Sequence, residues 1–404
     1  MSTGTRALTG NANAPRLAAF WFGIQLVWGA VLGISLQARC IQLSGAASLA
    51  TYGEISTAGA FAAAVVQLIA GPWSDALRRR GNNRATFYTV GAIAAAIAVV
   101  TFYAARSTTM LLVSFVALQI AMNFAIGPYQ AILPDTVEGG RLGSASGWMA
   151  AMQSAGNAAG AILATVLGNG IPLAAAIGVA LLGTCAITIM HLRTLRLRPV
   201  ETEKKIRVTR TLVDLFISRA FVYIGFYTLL GYLLFYLRSV LSPGGALDPT
   251  TATGIAILLF TLVGAGGAAL AAKPADKTDE RLVVTIGGAL IALSVFALSW
   301  TNSIPFIAAA IAIAGVGWGI FLCADWAFAC RLLPPNALAT TMGVWNIAVV
   351  GPQMLAPVIA TAILLRTGTI ATSVGPRVAF TLASIEICIG AAWIWRLPGS
   401  SYGK

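Results

Sequence analysis

The chain of 404 residues is 58% hydrophobic and only 10% charged, and its mean hydropathy is +0.83. In soluble domains about a quarter of all residues are charged. This composition therefore excludes a water-soluble globular protein and predicts a protein of the lipid bilayer. The formal net charge of +13 comes from basic residues that lie between apolar segments. That pattern is typical of membrane topology signals and not of a nucleic-acid-binding surface, so we expect no nucleic-acid partner.

Twelve apolar segments are long enough to span a bilayer, which requires about 20 residues each. In chain order they are 17–38, 49–71, 86–105, 110–133, 143–168, 171–192, 212–237, 253–272, 282–300, 304–330, 341–364 and 378–395. These segments predict an all-α, polytopic membrane protein with twelve transmembrane helices.

The basic residues predict the orientation of these helices. If the N-terminus is inside, the inner segments contain twenty Lys and Arg residues and the outer segments contain five. By the positive-inside rule, both termini are then cytoplasmic. We therefore expect a multi-pass protein of the plasma membrane, which in a bacterium is the inner membrane.

One long hydrophilic connection divides the twelve spans into six and six. We predict that it joins two bundles of helices that form separate domains. The predicted parts are a cytoplasmic tail at 1–16, an N-terminal six-helix bundle at 17–192, a cytoplasmic linker at 193–211, a C-terminal six-helix bundle at 212–395 and a cytoplasmic tail at 396–404.

Two features recur about 200 residues apart, as expected for parallel repeats. A basic turn at 71–84, GPWSDALRRRGNNR, separates the second and third spans, and a weaker copy, AKPADKTDER, lies at 272–281. In each turn an aspartate precedes an arginine by five residues. The pairs are Asp75 with Arg80 and Asp276 with Arg281, and Leu133-Pro134 followed by Gly143 likewise corresponds to Leu333-Pro334 followed by Gly343. The two bundles are therefore predicted to be pseudo-symmetric.

Over essentially its whole length the chain resembles the major facilitator superfamily. The Gly71-x-x-x-Asp75 spacing looks like the superfamily's signature loop, and Asp75, Arg78, Arg80 and Arg84 are spaced much as in the loop of glycoside–pentoside–hexuronide cation symporters and sucrose carriers. The stretches 128–135, 325–334, 342–348 and 351–357 look like bacterial carriers of the superfamily. The resemblance implies a secondary active transporter of a small organic solute, in which two bundles rock about a central site.

The resemblance also implies that the first, fourth, seventh and tenth spans line a cavity, and each has polar or aromatic residues on one face. The candidates for contact with the solute or the ion are Gln25, Trp28 and Arg39, then Gln119, Asn123, Tyr129 and Gln130, then Arg219, Tyr223 and Tyr227, and finally Trp318 and Asp325. Amides and aromatic rings suit an organic solute with both polar and apolar surface. The alternative for any one of these residues is helix–helix packing.

A charged residue within a span is expected to have a partner or a function, because inserting it into the bilayer costs about 2.5–3.5 kcal/mol on insertion scales. Arg219 and Asp325 lie at similar depth on spans that are expected to face each other, so we predict an ion pair. Asp325 is then either a proton or substrate-amine site or one half of a static pair. We expect Glu386 to make a hydrogen bond within its bundle and Glu54 to lie near the outer face.

The basic turn is a candidate gate at the inner mouth. Its predicted residues are Gly71, Asp75, Arg78, Arg80 and Arg84, with Asp276 and Arg281 as the weaker copy in the second half. Asp75 would lie near arginines and the positive end of a helix, and the arginines would pair with Asp135 and Glu138. Topology anchoring alone explains the arginines but not the repeated carboxylate.

Two alternatives compete with uptake of a sugar-like solute: export of amphipathic compounds, and a non-transporting membrane scaffold or pigment-delivery protein of the same fold. The sequence contains no P-loop, metal-ligand spacing or carboxylate pair with a histidine, so we predict no enzymatic activity and no cofactor. We expect a monomer whose partners are a small-molecule solute, a coupling cation (H+ or Na+) and the lipid bilayer.

Overall fold

A computed structural model describes residues 13–80, 84–137, 142–195, 209–241, 247–332, 338–370 and 372–398. Regular secondary structure in these ranges is helical. The α-helices are α1 (Ala14–Ala30), α2 (Leu36–Ser44), α3 (Ser48–Arg79), α4 (Ala85–Ala104), α5 (Thr108–Tyr129), α6 (Ile132–Thr136), α7 (Leu142–Leu167), α8 (Ile171–Leu192), α9 (Arg210–Val240), α10 (Pro249–Lys277), α11 (Glu280–Leu298), α12 (Ile304–Leu332), α13 (Leu338–Arg366) and α14 (Gly375–Trp393).

Every predicted span has a helical counterpart. In the described ranges, nine helical segments are long and apolar enough to cross a membrane, and the first, Ala14–Arg78, contains two of the predicted spans. The fifth and eleventh predicted spans correspond to α7 and α13, which both include side chains outside the described part of the chain. The predicted all-α fold of a polytopic membrane protein is confirmed.

Some helices extend beyond the apolar segments from which they were predicted. Helix α3 continues through Pro72 to Arg79, so most of the predicted turn at 71–84 is helical, and α10 continues to Lys277. The predicted extent of both basic turns was therefore wrong. A run of apolar residues reports the thickness of the bilayer, whereas a helix continues for as long as its backbone hydrogen bonds are satisfied.

Two backbone features interrupt the helices. The first span is divided by a π-helical turn, Val31–Ser35, between α1 and α2. The fifth and sixth spans, which lie close together in sequence, are separated at Gly168, whose φ of 69° is in the left-handed region that glycine adopts without steric cost. Because π-turns occur frequently at functional sites, the π-turn at Val31–Ser35 indicates a candidate functional site nearby.

The helices pack in two sets with the same pattern of neighbours. In the first set, α1 packs on α7 and α8, and α5 packs on α3 and α4. In the second set, α9 packs on α13 and α14, and α12 packs on α10 and α11. Helix α4 also contacts α8, and α11 correspondingly contacts α14. The repetition agrees with a parallel duplication, although the predicted domain boundaries stay a prediction.

The two sets contact each other through corresponding helix pairs, α3 with α13 and α10 with α7. At the first crossing Gly53 lies against Thr361, and at the second Gly254 lies against Thr165. A Cβ atom at either glycine would collide with the threonine hydroxyl. Small residues let the backbones approach closely where lipid supplies no hydrophobic driving force. These contacts lie near the helix ends that the charge bias predicts to be outer.

Candidate functional site

A narrow cavity of about 30 Å³ lies between the two sets of helices. Helices α3, α5, α9 and α13 and the π-turn contribute to it. Its lining residues are Leu32, Tyr52, Ser56, Ala60, Phe115, Gln119, Tyr227, Leu230, Gly231, Gln353 and Pro357. None of these described residues carries a charge. The cavity therefore offers hydroxyl and amide groups among aromatic and aliphatic walls, which is the usual chemistry of a small-molecule site.

Three amide side chains form a hydrogen-bonded row that ends at this cavity. Gln67 Nε2 donates to Asn123 Oδ1 at 2.8 Å. Asn123 Nδ2 donates to the Gln119 carbonyl at 2.8 Å and to Gln119 Oε1 at 3.1 Å. Asn123 and Gln119 are almost fully buried, so this row is an ordered polar connection between α3 and α5 inside the membrane.

An aromatic cluster lies beside the cavity in the second set. Phe226 of α9 stacks on Trp318 of α12 with ring centroids 4.0 Å apart. Tyr223 contacts the same Trp318 ring edge-on at 5.2 Å and lies 6.2 Å from the ring of Tyr227, which lines the cavity. The structure thus brings together three of the predicted site residues, Tyr223, Tyr227 and Trp318.

Beneath this cluster, Arg219 Nη1 forms an ion pair with Asp325 Oδ2, as predicted from the sequence. Both side chains are buried, with 6% and 2% of their surfaces exposed. Arg219 Nη2 also donates to the Tyr223 hydroxyl at 3.3 Å, and the guanidinium lies over the Tyr223 ring at 4.8 Å. Tyr223 therefore separates the ion pair from the cavity by one aromatic layer. The functional role of the pair stays a prediction.

Several other predicted site residues lie elsewhere. Arg39 is bound to Gln42 Oε1 and to the Ala105 carbonyl, so it closes the end of α4. Tyr129 donates to the Leu17 carbonyl at 2.6 Å inside the core of the first set. Neither residue lines the cavity, and the same is true of Gln25, Trp28 and Gln130. Helical periodicity identified a common stripe but could not distinguish the side facing the cavity from the side facing a neighbouring helix.

On the predicted inner side, charged side chains of the first set form a cluster. Arg84 binds Asp75 through Nη1 at 2.6 Å and Asp135 through Nε at 2.9 Å. Arg78 Nε lies 3.7 Å from the same Asp135 Oδ2. Burial opposes the charge of Arg84, but the carboxylates of Asp135 and Asp75 outweigh it and raise the pKa of the guanidinium. The cluster links α3 and α6 to the start of α4.

The remaining gate residues differ from this arrangement. Arg80 is exposed and makes no ion pair among the described residues, and Gly71 has open space where a Cβ would project. In the second half, Arg281 binds Asp279 at 2.6 Å, the Leu397 carbonyl at 3.0 Å and the face of Trp395. The side chains of Asp276 and Glu138 lie outside the described part of the chain. Among the described residues, the carboxylate partner of Arg281 is Asp279, and the predicted role of Asp276 stays a prediction.

On the predicted outer side, Gln37 connects the two sets of helices. Its Nε2 donates to the Leu230 carbonyl at 3.0 Å, and its Oε1 accepts from the Leu234 backbone N–H at 3.1 Å. The same Nε2 also donates to the Leu32 carbonyl of the π-turn at 3.1 Å. Leu230 C=O and Leu234 N–H are the two groups that would pair with each other in a regular α-helix. Gln37 therefore bridges them with its side-chain amide.

Tyr52 reinforces this side. Its ring packs edge-on against Tyr232 and Phe235 of α9, each with centroids 5.6 Å apart, and its hydroxyl lies over Gly231. The Tyr232 hydroxyl lies 3.2 Å from Thr361 Oγ1, next to the Gly53 crossing. These aromatic and small residues close the first set onto the second above the cavity.

Sequence reasoning missed the cavity residues of α3 and α13, and it missed Gln37. Tyr52, Ser56 and Gln67 lie on the second span, and Gln353 lies on the eleventh, which were not among the four spans expected to line the cavity. A signal was available, because polar residues at these positions interrupt otherwise apolar spans. Gln37 was not recognised because it lies off the stripe that contains Arg39.

Glu386, whose role the sequence left open, is buried in α14 and accepts a hydrogen bond from the Thr228 hydroxyl at 3.3 Å. It therefore makes the expected hydrogen bond within its own set of helices. Glu54 is exposed near the predicted outer end of α3, as expected.

Comparisons with known proteins agree with this architecture. The chain matches the family model of the Major Facilitator Superfamily over residues 17–357. No curated protein matches the sequence at a significant level. The resemblance to glycoside–pentoside–hexuronide symporters and sucrose carriers stays a prediction.

Solved transporters share the fold at low sequence identity. A bacterial homologue of the human lysosomal transporter Spinster, in an inward-facing and unoccupied conformation, has a TM-score of 0.70 and 15% identity, over 95% of this chain and 96% of that chain. A mutant of the nucleoside transporter NupG has a TM-score of 0.69 and 12% identity, over 95% and 99%. The POT family transporter PepTSo has a TM-score of 0.68 and 11% identity, over 95% and 98%. At these identities the comparison shows the fold alone.

Proposed function

Since the chain belongs to the Major Facilitator Superfamily and is a multi-pass membrane transporter that works by alternating access, we propose that it is a secondary active transporter of a small organic solute that couples transport to protons through Asp325. The observation that supports this proposal is the buried Arg219–Asp325 pair beside a cavity with polar and aromatic walls. Tyr223 accepts a hydrogen bond from Arg219 of the pair and contacts the ring of Tyr227, which lines the cavity.

The chemistry of the pair suits a proton carrier. Two charges in the membrane interior are tolerated while they neutralise each other, and removal of one leaves the other uncompensated. A proton that binds Asp325 converts the carboxylate to a neutral acid and releases the Arg219 guanidinium to the Tyr223 hydroxyl. Proton binding then acts on the cavity through the contact of Tyr223 with Tyr227.

A proton suits this site, because Asp325 already has a cation, Arg219, as its partner and a proton needs only one carboxylate oxygen.

The test begins with the solute. A thermal-shift screen of the purified protein against sugars, amino acids, organic acids and drugs identifies the class that stabilises it, because a ligand stabilises the state to which it binds. Uptake of that compound into proteoliposomes is then measured with and without a pH gradient. We expect Asp325→Asn to lose the acceleration by the gradient while it retains solute exchange.

Glu386→Gln is the matched control, since it neutralises another buried carboxylate of the same helix set. We expect this variant to retain the response to the pH gradient. Unchanged pH dependence in Asp325→Asn would contradict coupling through Asp325 and would leave the ion pair as a structural feature.

Export of amphipathic compounds is a second candidate, and the cavity walls favour it. Tyr52, Phe115 and Tyr227 present aromatic surface, and Leu32, Leu230 and Pro357 present aliphatic surface. Vesicles loaded with a fluorescent amphiphile distinguish the two directions by the sign of the gradient that drives transport. A non-transporting scaffold is less favoured, because hydroxyl and amide groups line the cavity.

The remaining parts of the proposal concern topology and gating. We infer that the protein is a monomer in which the bundles 17–192 and 212–395 rock against each other. We also infer that it lies in a bacterial inner membrane with both termini in the cytoplasm. For gating, we propose that the inner loop acts as one rigid part of the first set, in which Arg84 binds both Asp75 and Asp135. Transport by a correctly inserted Asp75→Asn variant at the unmodified rate would contradict that role.

A further inference from the structure

The direction of the hydrogen bonds in the amide row determines what the cavity offers a solute. Oxygen and nitrogen of an amide side chain are distinguished by their hydrogen-bond partners. For Asn123 the partner is unambiguous, because the Gln119 backbone carbonyl can only accept. The NH2 group of Asn123 must therefore face Gln119, and its Oδ1 must face Gln67.

The orientation of the Asn123 amide determines the orientation of the Gln119 amide. The NH2 group of Asn123 also reaches the Gln119 side chain at 3.1 Å, so the Gln119 atom at that contact must be the acceptor Oε1. Gln119 Nε2 is then the atom that remains. It has no hydrogen-bond acceptor among the described residues, and Gln119 lines the cavity.

The stem of Gln119 is held by packing. It lies against Gly59 of α3, where a Cβ atom would come within 3.1 Å of Gln119 Cγ and would collide with the Phe115 ring. Only 4% of the Gln119 surface is exposed. The absence of a side chain at Gly59 therefore allows α5 to present Gln119 to the cavity in one conformation.

From this geometry we propose, as an extension of the transport function proposed above, that Gln119 is a hydrogen-bond donor to the solute and that the solute is a neutral organic molecule with an oxygen acceptor. Asn123 and Gln67 are positioning residues, since they act on the solute through the orientation of Gln119. The neutral class follows from the lining, in which none of the described residues is charged and aromatic rings flank the amide. A charged solute would lose its hydration without gaining an opposite charge.

The direction of the row is tested without a solute. Gln119→Glu keeps the acceptor that Asn123 needs, whereas Asn123→Asp removes the donor that Gln119 needs. The two changes replace amides by carboxylates at sites that are similarly buried, with 4% and 5% of their surfaces exposed. We expect Asn123→Asp to lower the midpoint of thermal unfolding more than Gln119→Glu does. Equal losses or the reverse order would overturn the proposed direction.

The solute class is tested with three aryl probes of different charge: neutral 4-nitrophenyl β-D-glucoside, anionic 4-nitrophenyl phosphate and cationic phenyltrimethylammonium. Binding is measured by thermal shift in lipid nanodiscs, because alkyl-glycoside detergents resemble the first probe. We expect only the neutral probe to bind the unmodified protein. Gln119→Leu should weaken its binding about tenfold, as expected for loss of one buried hydrogen bond, and Gln67→Leu should weaken it less.

A reversal distinguishes recognition from structural support. In Gln119→Glu, we expect the neutral probe to lose affinity and the cationic probe to gain it, which a merely structural role of Gln119 would not produce. Binding of a charged probe by the unmodified protein, or failure of the neutral one, would overturn the solute class. If the neutral probe binds in this pattern but is not transported, the proposed function fails and the inference about Gln119 stands.

Discussion

On the predicted outer side, the two helix sets touch through glycine, threonine, tyrosine and glutamine, whereas on the predicted inner side arginine and aspartate bind within one set. Gly53, Gly254 and Gln37 make the outer contacts between sets. Arg84, with Asp75 and Asp135, makes the inner contacts within the first set. The outer contacts join parts that must separate during alternating access, and the inner cluster joins helices that can move together.

This difference has a physical reason. Contacts between neutral small residues can open without exposing a charge, so neither state of the transporter bears a large electrostatic cost. The Gln37 bridge fits the same logic, because a neutral amide makes it with two backbone groups of α9. The charged cluster would be costly to break, and its three helices α3, α4 and α6 are therefore suited to move as one body.

The largest expected effect comes from forcing the outer contact apart. Gly254→Val places a side chain where Thr165 lies, so the closed outer side becomes overpacked. We expect the conformational equilibrium to shift towards the outward-open state by about 1–3 kcal/mol, which is about 5- to 150-fold in population. Distances between spin labels on the predicted outer ends of α3 and α13 measure the shift.

Gly266→Val is the control for this substitution. It lies on the same helix α10, and a Cβ there has open space. We expect the control to leave the distance distribution unchanged. If both variants shift it equally, the close contact at Gly254 does not determine the equilibrium.

A smaller shift in the same direction is expected from Gln37→Leu. The change removes the bonds between α2 and α9 but keeps a side chain of similar volume in a fully buried position. We expect about 1 kcal/mol in favour of the outward-open state, since the change removes hydrogen bonds that join the two sets. The same spin-label distances report it, with Gln42→Leu as the control because Gln42 binds Arg39 of its own helix.

The smallest effects are expected at the inner cluster, and they should depend on salt. Asp135→Asn loses contact with both Arg84 and Arg78, whereas Asp75→Asn loses one contact at a side chain that is 41% exposed. We expect the first change to lower the free energy of unfolding by about 1 kcal/mol and the second by clearly less, because solvent screens exposed pairs.

Thermal unfolding at low salt and at 1 M KCl tests this ranking. High salt should reduce the loss caused by the Asp135 change, and it should leave the Gly254→Val shift unaltered. A larger effect of Asp75 than of Asp135, or insensitivity to salt, would contradict the assignment of the cluster as the electrostatic part of the molecule.

The sequence predicted the helices and the ion pair better than the cavity. Apolar length identified the spans, and the cost of a charge in lipid singled out Arg219 and Asp325 as partners although they are far apart in the chain. The four predicted stripes were less informative. They included Gln119 and Tyr227, which line the cavity, but also Arg39 and Tyr129, which bind carbonyls within the first set.

Composition, apolar segment length and the distribution of basic residues were sufficient to determine a two-part helical membrane protein, because the bilayer imposes the same constraints along the whole chain. Which face of each helix meets the cavity, which amide atom faces the solute and which helices cross at Gly53 and Gly254 were decided only by tertiary structure. Lipid and protein neighbours are both apolar, so the hydrophobic pattern that distinguishes the two faces of a helix in a soluble protein is weak here. Contacts between distant residues supply that information instead.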